Sequence, residues 1–356
     1  MMQKIELTNL SKEELTAEIV KFGEKPFRAK QLWQWIYYQG KTDFNEMTNL
    51  SLNLRQKLAE SYTITRPKIV TEQVSIDKTH KWLLEFKDGE RVEMVYIPEK
   101  DRGAVCISTQ VGCAMGCRFC HTGSQNFTRN LSVSEIVGQF MVARDAYNEW
   151  PSPTDETRYL SNIVVMGMGE PLNNLENVVK ALNILTDCDG ISISRRRVTL
   201  STAGIAPKIV EALAKTGVRL AVSLHAPNNT IRSQIMPIND KFKIEEVLKV
   251  CAEYQQGDHS RYITFEYLLL KGINDSQDNA KELVRIIKKY KLKASFNLIP
   301  FNPWPGCCFA PSEPKTVEAF SKILEEAGFA APIRVARGQD ILAACGQLKS
   351  KENKTT

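Results

Sequence analysis

The chain reads as an α/β protein: a partial (β/α)6 barrel joined to a small N-terminal helical domain and an antiparallel β extension. Three observations lead to that class. From residue 132 onward, short apolar runs alternate with amphipathic segments of helical length, the signature of parallel β/α units. Counting AVCISTQ at 104–110 as the first strand gives roughly six units, too few for a closed eight-stranded barrel. Before them lie three strand-like runs, and Lys87-Asp88-Gly89 is a turn of the kind that joins antiparallel neighbours.

Taken in order, residues 1–65 form the helical domain. SKEELTAEIVKF, FRAKQLWQWIYYQ and LSLNLRQKLAESY each place apolar residues at helical spacing, with Asn, Gly or Pro between them. Residues 66–104 form the extension and the link to the barrel, through the strands KIVTEQVS, HKWLLEF and RVEMVYIP. The barrel occupies 105–348. After AVCISTQ come a helix over SVSEIVGQFMVARDAYNEW, the strand NIVVMGMGEP, a helix near 175–187 and the strand RVTLSTAG. A helix over 206–216, the strand RLAVSLHAP, a helix over 243–255 and the strand ITFEYLLLKGIND continue the pattern. A helix over 276–290, the strand ASFNLIPFNP, a helix over 314–327 and a final strand PIRVARG complete it. Residues 349–356 are a polar tail with the composition of a frayed end.

Composition narrows the class of function. With 43% hydrophobic and 25% charged residues, the 356-residue chain is an ordinary globular protein. No run approaches the length of a membrane span, and the polar start MMQKIELTNLSKEEL lacks the apolar core of a signal peptide. A cytoplasmic monomer is the expectation. There its nine cysteines, an odd number, stay reduced and point to metal or catalysis rather than to a disulfide framework. The net charge of +6 is uneven: residues 21–68 hold nine Lys or Arg against four acids. Such a surface attracts a polyanion. The aromatics among them, Trp33 and Trp35 above all, are read first as the core of the helical domain, although exposed rings can stack on bases.

Chemistry concentrates on the loop after AVCISTQ, where Cys113, Cys117 and Cys120 stand in a C-x3-C-x2-C pattern. Three thiolates on one short loop can hold three irons of a 4Fe-4S cluster and leave the fourth iron without a protein ligand. In radical enzymes that iron takes the amino and carboxylate groups of S-adenosylmethionine. One electron from the cluster then cleaves the sulfonium and yields a 5′-deoxyadenosyl radical. Phe119 supplies the aromatic residue usual before the last cysteine. Zinc, with His121 or Cys106 as fourth ligand, is the competing reading, but structural zinc normally uses paired knuckles and no second pair is present. His121 is expected to sit beside the cluster without ligating it.

A second signal is Met166-Gly167-Met168-Gly169-Glu170-Pro171, at the end of a strand. Glycines let a ligand approach the backbone, and Glu170 can accept hydrogen bonds from an ammonium group. Ser201, Ser223-Leu224-His225 and Asn302 stand at other strand ends, where ligands of β/α folds gather. Each alone is as readily a loop cap. Together they form a candidate site.

At this point the chain closely resembles the RlmN/Cfr family of radical adenosine methyltransferases. The resemblance covers residues 20–348 and is carried by VEMVYIPE, CISTQVGCAMGCRFCHTG, RNLSVSEIVGQ, VVMGMGEPLNN and VTLSTAG. It continues through AVSLHAPNNTIRSQIMPIN, ITFEYLLLKGIND, LIPFNPWPG and RGQDILAACGQL. The resemblance implies a radical S-adenosylmethionine barrel that methylates carbon 2 of adenosine in 23S ribosomal RNA and in a subset of tRNA. It implies a 4Fe-4S cluster and two S-adenosylmethionine molecules per turnover. Cys345 would carry the methyl group as S-methylcysteine, and Cys106 would free the RNA adduct through a transient disulfide with Cys345. Glu93 would be the proton acceptor, unless Cys106 takes the ring proton. Gly169, Glu170, Ser201, Ser223, Leu224, His225 and Asn302 would hold S-adenosylmethionine. A flavodoxin or ferredoxin would donate the electron.

Read from the residues alone, the cysteines outside the loop say less. Cys345, in Ala343-Ala344-Cys345-Gly346, has the setting of a small buried hydrophobe, and Cys106 looks like an ordinary strand residue. Cys188, Cys251, Cys307 and Cys308 are read as structural. Three alternatives stay open at this level. Methylation can fall on carbon 8, as in the antibiotic-resistance branch of the family. The chain can be a radical enzyme that does not methylate and needs no Cys106–Cys345 pair. Or it can be an RNA-binding protein whose metal only holds the fold.

Overall fold

The computed structural model describes residues 4–100, 102–153, 158–258 and 261–349. The polar tail from 350 onward lies outside the described residues. The helical domain opens with β1 (Ile5–Glu6), followed by α1 (Lys12–Lys21), α2 (Phe27–Tyr37) and α3 (Leu52–Ser61). Then β2 (Tyr62–Thr63) returns to pair in parallel with β1. Ser11 starts α1 with a capping box, its hydroxyl accepting from the Glu14 N–H while the Glu14 carboxylate accepts the Ser11 N–H. Leu32, Trp33, Ile36 and Tyr37 are buried and belong to the same apolar core as the barrel. Trp33 and Ile36 are therefore core, as the helical spacing suggests, whereas Trp35 is only partly buried at the margin of that core. Trp33 Nε1–H donates to Asp187 Oδ1 at 3.1 Å, and Lys12 Nζ lies 3.0 Å from Asp187 and 2.7 Å from Asp189.

β3 (Lys68–Val74), β4 (His80–Glu85) and β5 (Arg91–Pro98) form an antiparallel meander, and β5 pairs antiparallel with β6 (Gly103–Cys106). The short hairpin partners β7 (Gln110–Val111) and β8 (Arg129–Asn130) frame the cysteine loop. The β/α alternation then runs α4 (Val133–Ala146), β9 (Leu160–Val165), α5 (Leu175–Thr186), β10 (Val198–Thr202), α6 (Ala206–Thr216) and β11 (Arg219–Ser223). It continues with α7 (Asn229–Ile235), α8 (Ile244–Gln255), β12 (Ile263–Leu269), α9 (Gln277–Lys289), β13 (Ala294–Pro300) and α10 (Pro314–Glu326).

One nine-stranded sheet holds all the longer strands, in the order β13-β12-β11-β10-β9-β6-β5-β4-β3. Six strands, β6 and β9 to β13, are parallel, and the extension adds three antiparallel ones. The sheet is open, with β13 and β3 at its edges. Side chains alternate across it. On β12, Phe265 and Tyr267 pack against Phe296 and Phe320, whereas Thr264, Glu266 and Leu268 face the interior space. No helix among the described residues is long and apolar enough to cross a membrane.

Several elements differ from their sequence patterns. PIRVARG is not a strand: residues 330–333 touch β13 only through the bridges Ser295–Ala330 and Leu298–Ile333. Pro332 has no N–H to extend a ladder, and Val335 is 77% exposed. α7 is an additional helix within a segment that reads as loop, started by the Asn228 side chain accepting from the Ile231 N–H. AVCISTQ is regular only to Cys106. Beyond it, 107–110 run beside 164–168 through bonds such as Ile107 N–H to Val164 O (3.0 Å) and Thr109 N–H to Met168 O (2.8 Å). The other long strand patterns stop at Val165, Thr202, Ser223, Leu269 and Pro300. The loops that leave these five strand ends build the site together with the cysteine loop after β7 and the C-terminal segment that carries Cys345.

Candidate active site

Two adjoining cavities lie over the inner face of the sheet and at the carboxyl ends of its parallel strands. The first spans about 940 Å³ with its mouth included. Cys113, Cys117 and Cys120 line one side, and Gly169, Glu170, Ser201, Ser223 and His225 line the other. The second spans about 1380 Å³ and is lined by Cys106, Asn302, Arg334 and Arg337 among others. Cys345, Gly346, Cys120 and Glu266 border both. Of the expected ligand-holding residues, Leu224 alone is fully buried behind the wall, where its N–H donates to Glu266 O at 3.1 Å.

Three thiols bordering one cavity are the donor set that a cluster with one open iron needs, so the residues present fit a 4Fe-4S cluster. His121 is engaged elsewhere: its ring stacks on Trp304 at 4.5 Å, and its Nδ1 lies 3.1 Å from Gln347 O. Burial raises all three loop thiols, Cys113 to about 12. Metal ligation there must therefore release protons. Phe119 meets the His225 ring edge-on at 4.9 Å, so the aromatic residue of the motif packs the loop against the strand ends.

The opposite wall is polar and pre-set. Glu170 accepts from the Leu172 and Ala203 N–H groups and from the Thr202 hydroxyl, at 3.0, 2.7 and 2.8 Å. Burial nevertheless raises its carboxyl, outweighing these bonds. His225 takes a left-handed backbone (φ 56°), and its Nδ1 accepts from the Leu268 N–H at 3.0 Å. Burial, with the Arg232 charge second, lowers this imidazole to about 3, so it is neutral with its proton on Nε2.

Cys345 arrives on a C-terminal strap, residues 338–349, pinned at several points. The Gly338 N–H donates to Asp77 at 3.0 Å, and Asp340 accepts from the Ser75 hydroxyl (2.5 Å) and the Ile76 N–H (3.2 Å). The His121 N–H reaches Gly346 O at 2.7 Å, and the Thr122 hydroxyl reaches Leu348 O at 2.7 Å. The Cys345 thiol is open to solvent between the cavities, yet crowding by protein, with Glu266 second, raises it to about 11. Cys106 is buried at the end of β6, and burial together with Cys345 pushes its thiol well up. Glu93 lines neither cavity. Its carboxylate holds Lys81 Nζ at 3.0 Å and the Lys349 N–H at 2.6 Å.

Sequence reasoning passed over Glu266, Asn297, Arg334 and Arg232. Glu266 stands as a lone acid within the apolar run ITFEYLLL, which is a usable signal. Arg232 lay in the unrecognised α7. Of the cysteines read as structural, Cys251 is buried and Cys307 packs partly buried against the second apolar cluster, whereas Cys188 and Cys308 are exposed in loops.

Comparison with known proteins agrees with this geometry. Residues 5–64 match the model of the ribosomal RNA large subunit methyltransferase N-terminal domain, and residues 107–284 match the radical SAM superfamily. The chain is 58% identical to the dual-specificity RNA methyltransferase RlmN of Rhodospirillum rubrum, over 97% of this chain and 80% of that one. It is 56% identical to its counterpart in Gluconobacter oxydans, over 98% and 86%. A crystal structure of a radical SAM methyltransferase from Sphaerobacter thermophilus superposes with a TM-score of 0.88 at 40% identity, covering 97% of this chain and 99% of that one.

Proposed function

This chain belongs to the RlmN family of radical S-adenosylmethionine RNA methyltransferases, and from that premise we propose that it methylates carbon 2 of adenosine in 23S ribosomal RNA and in a subset of tRNA. It is an enzyme whose cofactors are a 4Fe-4S cluster and S-adenosylmethionine. One observation carries the reading: Cys345 borders both cavities, of which the first holds the three loop thiols and the second holds Cys106.

When bound, the cluster supplies the electron that cleaves S-adenosylmethionine, which also supplies the methyl group. Cys113, Cys117 and Cys120 would hold the cluster. Gly169, Glu170, Ser201, Ser223, Leu224, His225 and Asn302 would orient S-adenosylmethionine, with Glu170 and neutral His225 offering an acceptor and a donor. Cys345 accepts the methyl group on Sγ and presents it to the base. Cys106 then releases the RNA by a transient disulfide with Cys345. Glu93 is the proposed proton acceptor, and in its present place it also anchors the strap. Reaching a ring proton would require it to leave Lys81 and the Lys349 N–H.

The reading includes a division of labour. Residues 1–65, with their basic excess, dock the RNA, residues 66–104 link them to the barrel, and 105–348 do the chemistry. The protein works as a cytoplasmic monomer with an electron donor of the flavodoxin or ferredoxin type. The test is anaerobic cluster reconstitution, then reaction with S-adenosylmethionine, a reductant and a ribosomal RNA fragment, with mass spectrometry of the digested RNA. 2-Methyladenosine should form with the wild type and disappear in Cys345→Ala. Formation of 8-methyladenosine, or full product from Cys345→Ala, would overturn the proposal.

A further inference from the structure

Arg232 sits on α7 with no exposed surface. Its guanidinium has five N–H groups, and the structure gives each a protein acceptor. Nε donates to Leu224 O at 3.1 Å. Nη1 donates to Asn239 Oδ1 at 3.1 Å and to Phe242 O at 3.4 Å, and Nη2 to Ala203 O at 2.6 Å and Ser223 O at 3.2 Å. No donor is left for a ligand, so any effect on the reaction must pass through the groups it holds. Three of these are carbonyls just beyond β10 and at the end of β11, the two strand ends that present Ser201, Ser223 and His225 to the cavity.

The same helix meets the cysteine loop. The Arg118 N–H, between Cys117 and Cys120, donates to Ile235 O at the end of α7 at 3.0 Å. Cys117 packs against the apolar cluster that contains Ile235 and Met236. Room for the guanidinium is kept by Gly204, whose φ is +104°. A Cβ there would lie 3.1 Å from Nη2 and 3.0 Å from Val247. Among the described residues no carboxylate pairs with Arg232, whose five acceptors are four backbone carbonyls and one side-chain amide oxygen, all neutral. A buried cation without a counter-ion is costly unless negative charge arrives nearby. A thiolate-ligated cluster brings that charge, and more of it once reduced.

We propose that Arg232 is a positioning residue of this site: it fixes the strand ends that hold S-adenosylmethionine in register with the cysteine loop, and its buried charge makes the cluster easier to reduce. The inference rests on the radical S-adenosylmethionine reading of the cavity. It assigns one side chain two separable tasks, one dependent on the five-fold hydrogen bonding and one on charge.

Full-length wild type, Arg232→Lys and Arg232→Met, each reconstituted anaerobically, separate them. The readouts are the cluster midpoint potential, followed by electron paramagnetic resonance, and S-adenosylmethionine affinity by equilibrium dialysis, with thermal melting as the fold control. Both variants should bind S-adenosylmethionine about tenfold more weakly or worse, because several buried carbonyls lose charged donors. The potential should fall in the neutral Met variant and stay near wild type in Lys. Where Met does not fold, Arg232→Gln removes the charge while keeping two donors. A folded neutral variant with wild-type potential, or a Lys variant with wild-type affinity, overturns the proposal. Wild type that takes up no cluster overturns the functional reading instead.

Discussion

Glu266 stands where the two cavities meet, with Oε1 accepting from Asn297 Nδ2 at 2.8 Å and burial raising its carboxyl to about 7. In the unfolded chain a glutamate titrates near 4. The folded protein therefore holds this proton more tightly, which favours folding at low pH. That contribution is fully present below about pH 4 and lost as pH rises through about 7, a change of up to about 4 kcal/mol. Glu266→Gln, neutral at every pH, should melt above wild type at pH 8, with the difference shrinking by pH 5. A constant difference across that range would assign the effect to packing instead. The candidate cluster cysteines were legible because three thiols at fixed spacing on one loop have few structural uses. Glu266 and Arg232 were not, since their importance comes from which strands fold around them. Gly167 was legible only in part. Its missing Cβ would lie 2.6 Å from Ser108 Oγ and 2.7 Å from Ile107 O, so the glycine admits a neighbouring loop where the sequence suggested a ligand.

At the scale of elements, the strap that carries Cys345 does by hydrogen bonds what regular structure does elsewhere. Asp340 holds it to the β3–β4 turn, far from the reacting atoms. Asp340→Ala should lower methyl transfer several-fold while leaving cluster content and S-adenosylmethionine cleavage near wild type. Parallel assays of iron, cleavage product and methylated RNA check this, and equal loss of all three would mean the strap supports the barrel as a whole. Helices and strands long enough to show a period were readable from the chain. PIRVARG has the composition of a strand, but Pro332 and the departure of the chain after β13 leave it with two bridges. α7 was hidden because seven residues are too few to show a helical period against flanking Asn and Pro.

For the whole molecule, the helical domain and the barrel share one apolar core, and Asp187 is one of several polar ties between them. Asp187→Ala leaves the Trp33 N–H without its acceptor and should lower stability by about 1–3 kcal/mol. It should weaken RNA binding while sparing S-adenosylmethionine cleavage measured without RNA. Melting, RNA titration and a cleavage assay test this, and unchanged RNA affinity would mean the domain docks RNA regardless of how it is held. The β/α order predicted the open sheet, because consecutive strands became neighbours, yet nothing in the order of segments revealed that residues 338–349 fold back onto the β3–β4 turn. The Ser75–Asp340 contact spans 265 positions. During synthesis, the anchor on the β3–β4 turn is made long before the strap that will reach it. Folding of the strap onto its anchor must therefore wait until the barrel between the two has been made.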